Sequence, residues 1–93
     1  MTNILENKKV IIIGGSSGIG LAVAKLIAAE GAKITIASRT KKRLEKAAAA
    51  IEGNVEIDTI DTLNEDSIKD FFTRHNRIDH LLNFLLIESK KKT

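Results

Sequence analysis

The 93-residue sequence contains no cysteine, no proline, no tyrosine and no tryptophan. Without cysteine there is no disulfide framework, no thiol nucleophile and no Cys-ligated zinc or iron–sulfur site. Two histidines, His75 and His80, are too few for a self-contained His-rich metal centre. Without tyrosine, a mechanism that needs a phenol as acid or base cannot run on these residues alone. Long apolar runs are missing as well. The longest, Leu81 to Ile87, is broken by Asn83 and falls far below the roughly 18 residues of a membrane span. Met1 to Lys9 carries no apolar signal region, so the expectation is a soluble cytoplasmic protein with no membrane partner.

The net charge of +3 has a local origin. Lys90, Lys91 and Lys92 supply the whole surplus, and residues 1–89 carry equal numbers of basic and acidic side chains. A neutral body with a three-lysine tail and no interleaved aromatics argues against a nucleic-acid partner.

What is present is an alternation of two periodicities. Val10-Ile11-Ile12-Ile13 is an unbroken β-branched run ending at glycines, the pattern of a strand buried on both faces of a parallel sheet. Ile19, Ala22, Val23, Leu26 and Ile27 then recur at three-and-four spacing, predicting a helix with that apolar face, stopped by Gly31. Lys33 to Ser38 reads as a second strand. A second helix follows with Leu44, Ala47, Ala48 and Ile51 on one face, ended by Gly53-Asn54. Val55 to Ile60 alternates apolar and polar residues, the mark of a less buried strand at a sheet edge. Asn64-Glu65-Asp66 offers an N-cap and acidic first turn to a third helix with Ile68, Phe71 and Phe72 on its apolar face, and a fourth strand runs from about His80 to Ile87. The order β-α-β-α-β-α-β predicts an α/β fold with parallel strands and right-handed crossovers, in the order 3-2-1-4.

Gly14-Gly15-Ser16-Ser17-Gly18-Ile19-Gly20 joins the first strand to the first helix. A loop at that place must turn sharply, bring backbone N–H groups onto a phosphate and admit close helix–strand packing, and glycine serves all three needs. The helix amino end adds about half a unit of positive charge. A tight turn that binds nothing has the same glycines; the strand before, the helix after and the second strand beyond are what favour nucleotide binding.

With these features the sequence resembles the short-chain dehydrogenase/reductase family. That family's Thr-Gly-x-x-x-Gly-x-Gly fingerprint is matched by Gly14, Gly18 and Gly20, with Ile13 in place of threonine. The likeness continues through Ala28-Ala29-Glu30-Gly31-Ala32-Lys33, Asp61 and Ile78-Asp79-His80-Leu81-Leu82-Asn83, covering about residues 6–83. It implies a Rossmann-like three-layer α/β/α fold, with residues 1–93 forming a single partial, truncated dinucleotide-binding domain and 84–93 a divergent tail. It also implies that Gly14, Gly15, Ser16, Ser17, Gly18, Ile19 and Gly20 hold the cofactor pyrophosphate, and that Asp61 hydrogen-bonds the adenine amino group. Read on its own, Asp61 is equally a loop carboxylate capping nearby backbone donors. Asn83 matches the first residue of the family's Asn-Asn-Ala-Gly segment, where small residues leave room for the cofactor ribose; Phe84, Leu85 and Leu86 depart from it. Cofactor choice is legible after the second strand. A carboxylate there would accept from the ribose of NAD, whereas Ser38-Arg39 suits the 2′-phosphate of NADP.

The resemblance further implies a catalytic serine, a Tyr-x-x-x-Lys pair and an asparagine beyond the fourth strand, and none of these is matched here. The expectation is the NADP-binding portion of an oxidoreductase, inactive alone, with no catalytic residue of its own and no metal site. The alternative is a non-catalytic nucleotide-binding or protein-assembly module on the same fold. Either way, one helix must cover a sheet face that two cover on the other side, and the fourth strand offers an apolar edge. Self-association, or docking of a complementing carboxy-terminal half, is the expected remedy.

Overall fold

The computed structural model describes residues 5–16 and 18–84. Seven elements alternate along the chain: β1 (Lys9–Ile13), α1 (Gly18–Ala29), β2 (Lys33–Ser38), α2 (Lys41–Ala49), β3 (Asn54–Thr59), α3 (Glu65–Arg74) and β4 (His80–Asn83). The strands form one parallel sheet in the order β3-β2-β1-β4, as the alternation requires. Val10 to Ile13 of β1 are all buried, which the unbroken isoleucine run anticipates for a strand covered on both faces. The fourth strand extends to Asn83; the expected continuation over 85–87 lies outside the described residues.

The sheet divides the core in two. Val10, Ile12, Ile34 and Ile36 point to the face covered by α1 and α2, where they meet Ala24, Ala28, Leu44, Ala47 and Ile51. Ile11, Ile13 and Ala37 point to the other face, where α3 brings Phe71 over Ile60, flanked by Ile68, Phe72 and Ile78. Each fully buried isoleucine contributes roughly 1.5–3 kcal/mol. Leu82 and Phe84 pack on the α1/α2 side. The alternation of β4 therefore turns Leu81 to the α3 side, and it remains half exposed. Asp79 ties β4 to β1: its N–H donates to the Lys9 carbonyl (2.8 Å) and its Oδ2 accepts from the Lys9 N–H (2.7 Å). That backbone donor, aided by the charges of Lys8, Arg77 and His80, holds the Asp79 carboxyl below its ordinary range.

The apolar face expected for α1 is buried only in part: Ile27 packs on the core and Val23 is half-buried. Ile19, Ala22 and Leu26 are exposed, Ile19 and Leu26 by about two thirds. Gly20, Ala24 and Ala28, spaced four apart, form the buried stripe. The reason is distance: α1 approaches the sheet so closely that only small side chains fit between them. A Cβ on Gly20 would land on the Gly14 carbonyl oxygen and press on the Gly15 Cα. Size is excluded along this central line, and the larger Leu21 and Ile27 pack half-buried against the same core.

The third helix is fastened at both ends. Its cap is the expected Asn64, whose Oδ1 accepts from the Ser67 N–H (3.1 Å). At the other end the Asp58 carboxylate of β3 receives Nε and Nη2 of Arg74 (3.0 and 3.2 Å), Nε2 of His75 (2.7 Å) and the Thr59 N–H (2.8 Å). His75 does continue the apolar face, its ring lying 4.4 Å from that of Phe71, but Asp58 is its polar partner. An ionised carboxylate only accepts, so Nε2 carries the proton. Nδ1 is buried without a hydrogen-bond partner among the described residues. Burial of Asp58 opposes its ionisation, yet hydrogen bonds from Arg74, His75 and Thr59, with the Arg74 charge, outweigh it and hold the carboxyl below its usual range.

Two outcomes follow from this packing. Gly20→Ala should destabilise the fold by about 1–3 kcal/mol despite alanine's better helix propensity, because the obstructing atoms are backbone and cannot swing aside. An unchanged urea midpoint would contradict the close approach. A depressed carboxyl stabilises the fold above its unfolded value near 3.9 and ceases to do so as pH falls through its lower folded value. Asp58→Asn should therefore cost about 1–2 kcal/mol near neutral pH, the lower part of the range for charged hydrogen bonds because Arg74 is half exposed. The gap to wild type should close below about pH 4 in denaturation curves measured against pH.

Candidate functional site

Parallel strands place all their carboxyl ends at one edge of the sheet, and every described candidate residue from the sequence lies there or on the helix that starts there. The turn after β1 begins at Gly14, whose φ of 87° favours glycine, while its N–H donates to the Ala37 carbonyl (2.8 Å) and anchors the turn to β2. Gly15 is buried against Ile12 and Ile36, where a Cβ would come within 2.8 Å of the Ile36 methyl. Gly18 opens α1 with space around it, and the first turn of α1 holds no acidic side chain. Ile19, beside it, is exposed. Ser16 is half-buried in the turn; Ser17 lies outside the described residues.

At the ends of β2 and β3 an open depression of about 340 Å³ is lined by Arg39, Thr59, Ile60, Asp61 and Ser67. Arg39 is exposed and has no carboxylate partner among the described residues. Ser38, half-buried at the end of β2, accepts weakly from the Thr40 N–H (3.4 Å) and offers no negative charge. The Ile60 N–H donates to the Ser38 carbonyl (3.0 Å), which holds the two strand ends side by side.

Asp61 makes contacts of its own within the loop. Its Oδ1 accepts from the Leu63 N–H (3.0 Å), the capping contact expected of a loop carboxylate. Its N–H donates to the Ser67 hydroxyl (2.9 Å) and its carbonyl accepts from the Asn64 N–H (3.0 Å). One carboxylate oxygen is thus tied to its own loop, and Oδ2 makes no hydrogen bond with a described residue.

The structure thus brings Arg39 and Asp61 into one depression. The glycine turn stands at the neighbouring end of β1, and Asn83 stands opposite Ile13 at the end of β4; neither lines the depression. The Phe84 N–H extends the ladder to the Ile13 carbonyl (2.9 Å), and its side chain packs on the α1/α2 core. Thr59 and Ser67 are walls of the depression that sequence reading passed over. Ser67 was accessible through its place three residues after the Asn64 cap, whereas nothing in the local sequence marks Thr59.

Comparison with known proteins agrees with this geometry. Residues 8–85 match the short chain dehydrogenase family. The chain is 35% identical over 86 residues to the 3-oxoacyl-[acyl-carrier-protein] reductase FabG of Chlamydia pneumoniae, covering 85% of this chain and 35% of that protein. It is 36% identical over 91 residues to the short-chain dehydrogenase/reductase malC of Malbranchea aurantiaca, covering 95% of this chain and 34% of that one. A solved short chain dehydrogenase/reductase family protein superposes with a TM-score of 0.84 at 38% identity, over 90% of this chain and 35% of its own. The chain therefore spans about a third of the length of these relatives. A glycine turn built for close backbone approach, a sheet in the order 3-2-1-4 and a sequence match through nearly all of both place this chain in the short-chain dehydrogenase/reductase family, whose members bind nicotinamide dinucleotides.

Proposed function

We propose that this chain binds NADP(H) along the carboxyl edge of its sheet and supplies the cofactor-holding part of an oxidoreductase. The observation that carries the reading is the joint presence of Arg39 and Asp61 in one depression at the ends of adjacent strands, each with polar atoms unused by described residues. A guanidinium there matches a phosphate on the adenosine ribose, and Ser38 presents no carboxylate to select a free ribose hydroxyl. Asp61 Oδ2 accepts from the adenine amino group. The amino end of α1, reached through the glycine turn, receives the pyrophosphate. Asn83, at the next strand end, serves the part of the dinucleotide nearer the nicotinamide.

When bound, the nicotinamide supplies hydride transfer. The chain's own residues bind and orient; they do not move a substrate proton. The family resemblance assigns that step to a tyrosine, and the sequence has none. His75 is engaged with Asp58, and His80 is exposed at the start of β4.

Arg39→Ala should weaken NADP(H) by about 1.5–3 kcal/mol, the range for a hydrogen bond to a charged group, and leave NAD(H) unaffected. Calorimetry showing equal losses for the two cofactors would remove Arg39 from this role. The purified chain should reduce no carbonyl compound and oxidise no alcohol with either cofactor, because the phenolic acid/base is absent. Substrate-dependent loss of reduced-nicotinamide absorbance, proportional to the protein and surviving repurification, would refute the proposal that it holds the cofactor without performing the chemistry.

A further inference from the structure

We infer that Arg74 and Asp58 are positioning residues for the nucleotide depression, holding Thr59 in its wall from behind. The inference rests on the reading of that depression as the adenosine end of an NADP site.

The physical origin is the sheet edge. β3 is an outer strand, and the Ile60 N–H points inward to Ser38 of β2. Along a strand the direction of the backbone polar groups alternates, so the N–H and carbonyl of Thr59 point outward, where no strand among the described residues receives them. The Asp58 side chain folds back to accept the Thr59 N–H at 2.8 Å. Arg74 grips both Asp58 oxygens through Nε and Nη2, and the same Nη2 reaches toward the Thr59 carbonyl at 3.5 Å. A bidentate guanidinium fixes direction as well as distance. Its own position is set by the core, since Arg74 lies over the ring of fully buried Phe71 at 5.9 Å. His75, stacked on the same ring, supplies a third donor to Asp58.

At its other end α3 accepts the Asp61 N–H on Ser67. The wall from Thr59 to Asp61 is therefore held by α3 on two sides, by Ser67 within the depression and by Arg74 and Asp58 behind it. Loss of the rear clamp frees the last residue of an edge strand, and the spacing between Arg39 on β2 and Asp61 beyond β3 is no longer fixed.

The test uses the full chain with NADP+ as the probe. Arg74→Met keeps the length and apolar cover over Phe71 but removes the fork; Arg74→Lys restores the charge without the fork. NADP+ affinity should fall about 2- to 10-fold in Arg74→Met, with Arg74→Lys between it and wild type. Amide hydrogen exchange at Thr59 should quicken in the same order, while the Ile12 and Ile36 amides of the central strands keep their wild-type rates. Affinity unchanged in Arg74→Met, or exchange quickened equally at Ile12 and Ile36, would overturn the positioning role while the nucleotide reading stands. A wild-type chain that binds no NADP+ would overturn the nucleotide reading, and this role with it.

Discussion

The backbone contact between Gly14 and Gly20 sets the geometry on which the rest of the molecule depends. With no Cβ on Gly20, the first turn of α1 rests directly on the carbonyl that ends β1. That approach draws Ala24 and Ala28 onto the sheet and forces the larger Ile19 and Leu26 outward. It also aims the amino end of α1 at the strand ends, where the positive pole of the helix meets solvent or a bound anion. Packing and the direction of the helix's positive end are here two results of one missing methyl group.

The two faces of the sheet are held by different physics. Under α1 and α2 the contacts are aliphatic and dense, running from Val10 through Ile36 to Ile51. On the other face a single helix covers the central strands, with Phe71 as its one fully buried anchor. Polar contacts complete the attachment at each end of α3, through Asn64 and Ser67 on one side and Arg74 and His75 on the other. Such contacts are directional, so α3 contributes placement of the β3 terminus as well as cover. The half-exposed Leu81 beside it marks where that cover is thinnest.

The depression carries charge of both signs. Arg39 comes from the end of β2 and Asp61 from beyond β3, and they share one depression without forming an ion pair. Self-neutralisation would have been the simpler electrostatic outcome for two opposite charges so placed. Asp61 instead uses one oxygen on its own loop, at Leu63, and keeps the second directed elsewhere. The relatives, three times the length of this chain, share this part of the fold as their cofactor-binding family requires.

By itself the sequence determined the element order, the parallel sheet and the glycine turn, because hydrophobic period and turn chemistry are local properties written residue by residue. The isoleucines of β1, the Asn64 cap and the Phe71 face of α3 could all be read that way. It marked Arg39 as a candidate through its place at the end of β2, and Asp61 through the resemblance to the short-chain dehydrogenase/reductase family. Tertiary structure alone decided which stripe of α1 is buried, since interhelix and helix–sheet distance is set by the smallest residues at the contact and not by the most hydrophobic ones. It alone decided that Asp58, Arg74 and Thr59 form one unit: they are separated by up to sixteen positions in the chain and joined only because an edge strand leaves backbone groups that a neighbouring helix can reach.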